Sequence, residues 1–144
     1  MLDTLLDLFK KPEVENPQPT IELAAAVLMV EIMIADHTPD EKERELIELA
    51  LFNHTMLEEH QVKDIVDEAV ATVKDSNDLF KFTDVINQNY SPEQKKHLIT
   101  SMWHVAYADS VIDKYEEHMI RKISDLIYVS HSDFIQAKHS ARPM

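Results

Sequence analysis

Apolar residues recur along this chain at three- and four-residue intervals, and no segment alternates apolar and polar positions over the length of a strand. That spacing places them on one face of a 3.6-residue helix, so the chain reads as a series of amphipathic helices. Thr20 caps a strong helix running to about Asp36. A second runs from near Asp40 to about Asn53, a third over roughly Leu57 to Lys74, and a fourth over Asp78 to Gln88. Ser91-Pro92-Glu93-Gln94 is a start signal, with Ser as N-cap, Pro at the first helical position and Gln three residues on. The helix it opens extends to about Asp109, another spans about Asp113 to Tyr128, and a short one follows His131. Leu2 to Phe9 predicts a further short helix whose Leu2, Leu5, Leu6 and Phe9 would dock on the body of the protein. Glu13 to Pro19, with Pro17 and Pro19, reads as a linker. The expectation is an N-terminal helix and linker over residues 1–19, then one domain over 20–144. The fold class is all-α, a compact bundle of about seven or eight helices.

The pattern repeats at an offset of 73. Met29, Ala35, Asp36, Asp40, Glu43 and Ile47 fall on Met102, Ala108, Asp109, Asp113, Glu116 and Ile120; Ile32 falls on Val105 and Leu46 on Met119. With one residue deleted, Leu57 and Val62 match Val129 and Phe134. Two helix–acidic turn–helix units predict a pseudo-twofold arrangement.

Composition removes several function classes. Glycine is absent. Phosphate-cradling loops, dinucleotide fingerprints and EF-hand loops all need it where the backbone turns sharply or approaches a ligand. Cysteine is absent too, which excludes disulfides, thiolate metal sites and a cysteine nucleophile. The longest apolar run, Ala24 to Ala35, is interrupted by Glu31 and is too short to span a bilayer. No secretory signal is evident, so a cytoplasmic location is expected, with any membrane association indirect. The formal net charge of -13 disfavours nucleic acid and anionic lipid, and suits solubility, cations or basic protein partners.

The acids at the two turns are the candidate chemistry. Asp109 extends the stripe Leu98, Met102, Val105 and Ala106, and Asp36 extends Met29, Ile32 and Met33. Each Asp is thereby placed on the inner edge of a helix C-terminus, where the helix dipole opposes an anion by about 0.3–1 kcal/mol. Two compensations are open. The aspartates accept hydrogen bonds from a neighbouring helix start, with Asp40-x-x-Glu43 and Asp113-x-x-Glu116 acting as capping boxes. Alternatively, Asp36, Asp40 and Glu43, and Asp109, Asp113 and Glu116, each surround a hard cation, with Glu117 as a further candidate. Carboxylates without thiolates suit Ca²⁺, Mg²⁺ or Mn²⁺.

The segments Ala35-Asp36-His37-Thr38-Pro39-Asp40-Glu41-Lys42-Glu43 and Ala108-Asp109-Ser110-Val111-Ile112-Asp113-Lys114-Tyr115-Glu116-Glu117 resemble the tellurite-resistance TerB family, whose Ala-Asp-Gly turns are followed by an acidic or small polar cap and then glutamates. The resemblance covers roughly residues 20–138. It implies an all-helical fold with internal two-fold similarity, an acidic surface that binds metal ions, and a role in tellurite or general chemical-stress response through protein partners. Related domains occur in some membrane-anchored DnaJ-type co-chaperones. His37 and Ser110 stand where the family has glycine, and neither enters a positive φ easily.

Other polar residues offer less. The eight histidines form no Glu-x-x-His or His-Glu-x-x-His pattern, and His97 and His104 sit seven apart on a polar helix face. Ser101, His104 and Asp109 do not present a nucleophile to its base from within one helix. Glu31 is expected at a rim, with Trp103 and Met29, Met33, Met102 and Met119 in the core. The leading expectation is a non-enzymatic binding module for divalent cations or protein partners. Its alternatives are a carboxylate–histidine metalloenzyme and a purely structural adaptor whose acids only cap helices.

Overall fold

The computed structural model describes residues 19–33, 41–75, 78–107 and 114–142. These form seven helices and, among the described residues, no strand. In chain order they are α1 (Ile21–Met33), α2 (Glu41–His54), α3 (Glu59–Asp75), α4 (Leu79–Asn89), α5 (Pro92–Ala106), α6 (Lys114–Leu126) and α7 (His131–Ala141). The all-α bundle expected from the periodicity is what is found. The N-terminal helix expected over Leu2–Phe9 lies outside the described residues.

Local signals set the helix starts. Thr20 Oγ1 accepts from the Leu23 amide at 3.1 Å, which caps α1. Asp78 caps α4 by accepting from the Phe80 amide. At α5 the capping box is complete: the Gln94 amide donates to Ser91 Oγ at 3.2 Å, and the Ser91 amide donates to Gln94 Oε1 at 2.8 Å. Ser130 caps α7 through the Asp133 amide. Helix α3 begins two residues later than its apolar pattern suggested, because the Glu58 amide donates to Gln61 Oε1 and half-buried Leu57 stays in the connection.

Helix α1 is the axis of the bundle. Every residue from Ala24 to Val30 is buried, so it carries no polar face over those two turns. A helix apolar all round must be enclosed, and α1 packs against α2, α3, α4, α5 and α6. Ala24, Ala25 and Ala26 keep its surface thin where these neighbours approach. Around it, the helices that carry charge bury single stripes: Ile47 and Leu51 of α2, Val62, Val66 and Ala69 of α3, and Met119, Ile120 and Ile123 of α6. Trp103 of α5 is fully buried, with its ring 5.3 Å from that of Phe134 on α7. Met29, Met33, Met102 and Met119 are all core residues, as the sequence suggested, and Glu31 is half-buried at the rim. No described helix is long and apolar enough to cross a membrane.

Helix α6 ends without glycine in a Schellman turn. Tyr128 takes φ 61°, the Tyr128 amide donates to Asp125 O at 3.1 Å, and the Val129 amide donates to Ser124 O at 3.0 Å. Asn87 of α4 adds an outside cap, donating from Nδ2 to Leu126 O at 3.0 Å.

Candidate functional site

Four of the seven acids singled out from the sequence, Asp36, Asp40, Asp109 and Asp113, lie outside the described residues. The other three lie in the first turns of α2 and α6. Glu43 and Glu116, 73 positions apart, are both half-buried. Glu117 Oε1 accepts from Lys138 Nζ of α7 at 2.9 Å, an ion pair that ties α6 to α7. Among the described residues no three His, Asp or Glu side chains are grouped closely enough to hold a metal ion. Ser101 Oγ donates back to His97 O at 3.1 Å.

The described acids gather instead along α2 and α3. Between these helices lies a groove of about 700 Å³. Its walls carry Glu41, Glu45, Glu48, Glu59 and Asp67, five carboxylates against Arg44 and Lys63. Arg44 bridges the groove: its Nε donates to Glu48 Oε2 at 3.0 Å, and its Nη2 donates to Lys63 O at 3.2 Å and to Asp67 Oδ1. Those carboxylates raise the guanidinium's already high pKa against the opposing effect of partial burial, so it is a fixed cation. Lys63 sits 3.9 Å from Glu59 on its own helix. The local cations are thus held by acids of the groove, and Glu41 and Glu45 face solvent.

Two large apolar side chains also line this groove. Leu49 is 57% exposed and Phe52 49% exposed, on the flank of α2 beside the buried Ile47–Leu51 stripe. Their spacing of three residues puts them on one side of the helix. Buried Val62 contributes to the groove from α3. Sequence reading missed this feature, although one signal was available: both residues fall off the stripe defined by Ile47 and Leu51.

A second polar cluster was also missed. His54, the last residue of α2, places Nδ1 2.8 Å from His97 Nδ1 on α5 and Nε2 2.7 Å from the Tyr90 hydroxyl after α4. Burial, with a further push from His97, depresses His54 to about 4, so its ring is neutral at pH 7. Burial, assisted by the charge of Glu22, lifts the Tyr90 phenol to about 12. His104, seven residues after His97, is exposed and lines a neighbouring depression that His97 also lines.

Comparison with known proteins agrees with this architecture. No curated protein and no solved structure matches the chain. The family model described as "Tellurite resistance protein TerB" matches residues 22–139, from the first turn of α1 into α7. That span holds the buried stretch Ala24–Val30 of α1, the caps at Asp78, Ser91 and Ser130, and acidic α2, and the chain belongs to the TerB family.

Proposed function

We propose that this chain is a non-enzymatic binding module of the TerB family. Its working surface is the acidic groove between α2 and α3, and its partner is a basic amphipathic segment of another protein. The observation that carries this reading is Leu49 and Phe52, each about half exposed and walled by five carboxylates. Exposed apolar side chains cost solubility unless a partner covers them, and an amphipathic helix seats apolar anchors in such a groove. Lys and Arg flanking those anchors would meet Glu41, Glu45 and Glu59. Like charge repels tellurite, an oxyanion, from the same face. A role in tellurite or chemical-stress response therefore runs through a protein partner rather than through capture of the oxyanion here.

The test is fluorescence anisotropy with a labelled peptide carrying Leu and Lys at helical spacing. Binding is expected to saturate, to weaken with added salt, and to disappear when Glu replaces Lys in the peptide. Phe52→Ala removes an exposed ring at little cost to the fold and is expected to weaken binding about thirtyfold, as loss of an interface anchor does. Unchanged affinity in Phe52→Ala contradicts the groove.

A second reading is favoured by Glu43 and Glu116, which share burial and position at the repeat offset. Under it, Asp36, Asp40 and Glu43, with Asp109, Asp113, Glu116 and Glu117, hold Ca²⁺, Mg²⁺ or Mn²⁺, and a pseudo-twofold relation makes the two turns equivalent. Helices α3 and α7 start at Glu59 and His131, 72 positions apart, which supports the offset of 73 with its one deletion. Calorimetric titration is expected to show saturable Ca²⁺ or Mn²⁺ binding, with a raised melting temperature, that Asp36→Asn/Asp109→Asn removes. Equal destabilisation by those substitutions with and without cation assigns the acids to capping alone.

A further inference from the structure

The contact between His54 and His97 has a chemical consequence independent of the acidic groove. The two Nδ1 atoms are 2.8 Å apart, and the rings lie within 10° of parallel with centroids 5.0 Å apart. Two imidazole nitrogens at that distance cannot both carry hydrogen. At least one presents a lone pair, and the two share a single proton between them. They come from different helices, 43 positions apart in sequence, so the packing of α2 on α5 creates the pair. They line an open cleft of about 630 Å³ whose other polar groups include Glu22 and Glu93, both acidic.

We propose that His54 and His97 form a binding site for a borderline divalent transition-metal ion, Cu²⁺ or Ni²⁺ in preference to Zn²⁺. Imidazole nitrogen selects such ions over Ca²⁺ and Mg²⁺, which take oxygen ligands. Metal–imidazole bonds are about 2.0–2.1 Å, so nitrogens at adjacent corners of a square or octahedron sit about 2.9 Å apart, and those of a tetrahedron about 3.3 Å apart. The 2.8 Å spacing matches the first. Exposed His97 has room to turn its ring so that both lone pairs converge. On the far side of His54, the Tyr90 hydroxyl lies 2.7 Å from Nε2 and can accept its hydrogen. When the Tyr90 oxygen accepts from Nε2–H, Nδ1 is left as the lone pair facing His97. That arrangement is the outer support a metal-bound imidazole needs. Water fills the remaining positions, and Glu22 and Glu93 supply negative potential in the cleft. On binding, the shared proton leaves Nδ1 of His97 for solvent while solvent protonates Nε2 of the same ring, so His97 stays neutral and both Nδ1 lone pairs bond to the ion.

The experiment uses the full chain and Cu²⁺ as probe, in a non-chelating buffer. Calorimetry measures stoichiometry, and electron paramagnetic resonance reads the nitrogen couplings. One ion per chain with two-nitrogen hyperfine structure is expected, together with a raised melting temperature that EDTA reverses. His97→Gln, an exposed substitution that leaves the core intact, is expected to remove the two-nitrogen signal. Tyr90→Phe is expected to weaken binding about tenfold or more while keeping two nitrogens. His104→Gln, on the same helix but outside the cleft, is expected to change nothing. Excess Ca²⁺ is expected to leave the Cu²⁺ isotherm unchanged, which separates this site from the acidic turns. A His97→Gln protein that still binds Cu²⁺ through two nitrogens overturns the proposal, as does a wild-type chain that binds none.

Discussion

Glu31 shows how one partly buried charge sets a pH dependence. It sits on α1, half-buried, facing Lys122 of α6. Burial raises its pKa above the ordinary value of 4.5, and Lys122 only partly offsets this. The folded chain thus takes up this proton at a higher pH than the unfolded chain does. In the window above 4.5 the folded state holds more protons, so stability falls as pH rises through the raised value. At neutral pH the charged carboxylate is a net cost. Glu31→Gln is expected to raise the melting temperature at pH 7, with the difference vanishing below pH 4.5, where the native residue is also neutral. A lower melting temperature at pH 7 means that the pairing with Lys122 outweighs burial. The rim position of Glu31 was legible in the sequence as one acid in an apolar run. The meeting of His54 with His97 was not, because neither residue's neighbours in sequence encode the packing of α2 on α5.

At the scale of the element, legibility follows locality. Starts written in three or four consecutive residues were read correctly, as with Ser91 and Gln94 at α5 or Thr20 at α1. The end of α6 was harder, because a chain without glycine gives no stop signal of the usual kind. Here a tyrosine occupies the left-handed position that glycine normally fills, at a cost of about 1–2 kcal/mol. The two backbone bonds of the turn and the Asn87 cap hold it there. Lys95 lies 5.7 Å from the exposed Tyr128 ring and offsets little of that cost. Tyr128→Gly relieves the strain but gives the unfolded chain more freedom, so a net gain of roughly 0.5–1 kcal/mol in urea unfolding is expected. Tyr128→Val, β-branched and poorly tolerated at positive φ, is expected to be less stable than the native chain. The reverse order contradicts the reading of this turn as strained.

For the whole molecule, the apolar spacing announced a helical bundle, while the enclosure of α1 at its axis emerged only from the packing. A helix apolar on every side has only one place in a small bundle, and the other helices need only one buried stripe each. The binding face was less visible. The net charge of -13 says that the surface is acidic but not where the acids meet apolar side chains. That requires α2 and α3 packed side by side, which turns Leu49 and Phe52 from stray apolar residues into parts of a groove beside Val62. The claim that this groove is the working surface is tested most directly by amide chemical-shift mapping with the Leu/Lys peptide. The account predicts shifts concentrated at Glu45, Leu49, Phe52, Val62 and Lys63, with α7 unmoved; shifts centred on α7, or none at saturating peptide, contradict it.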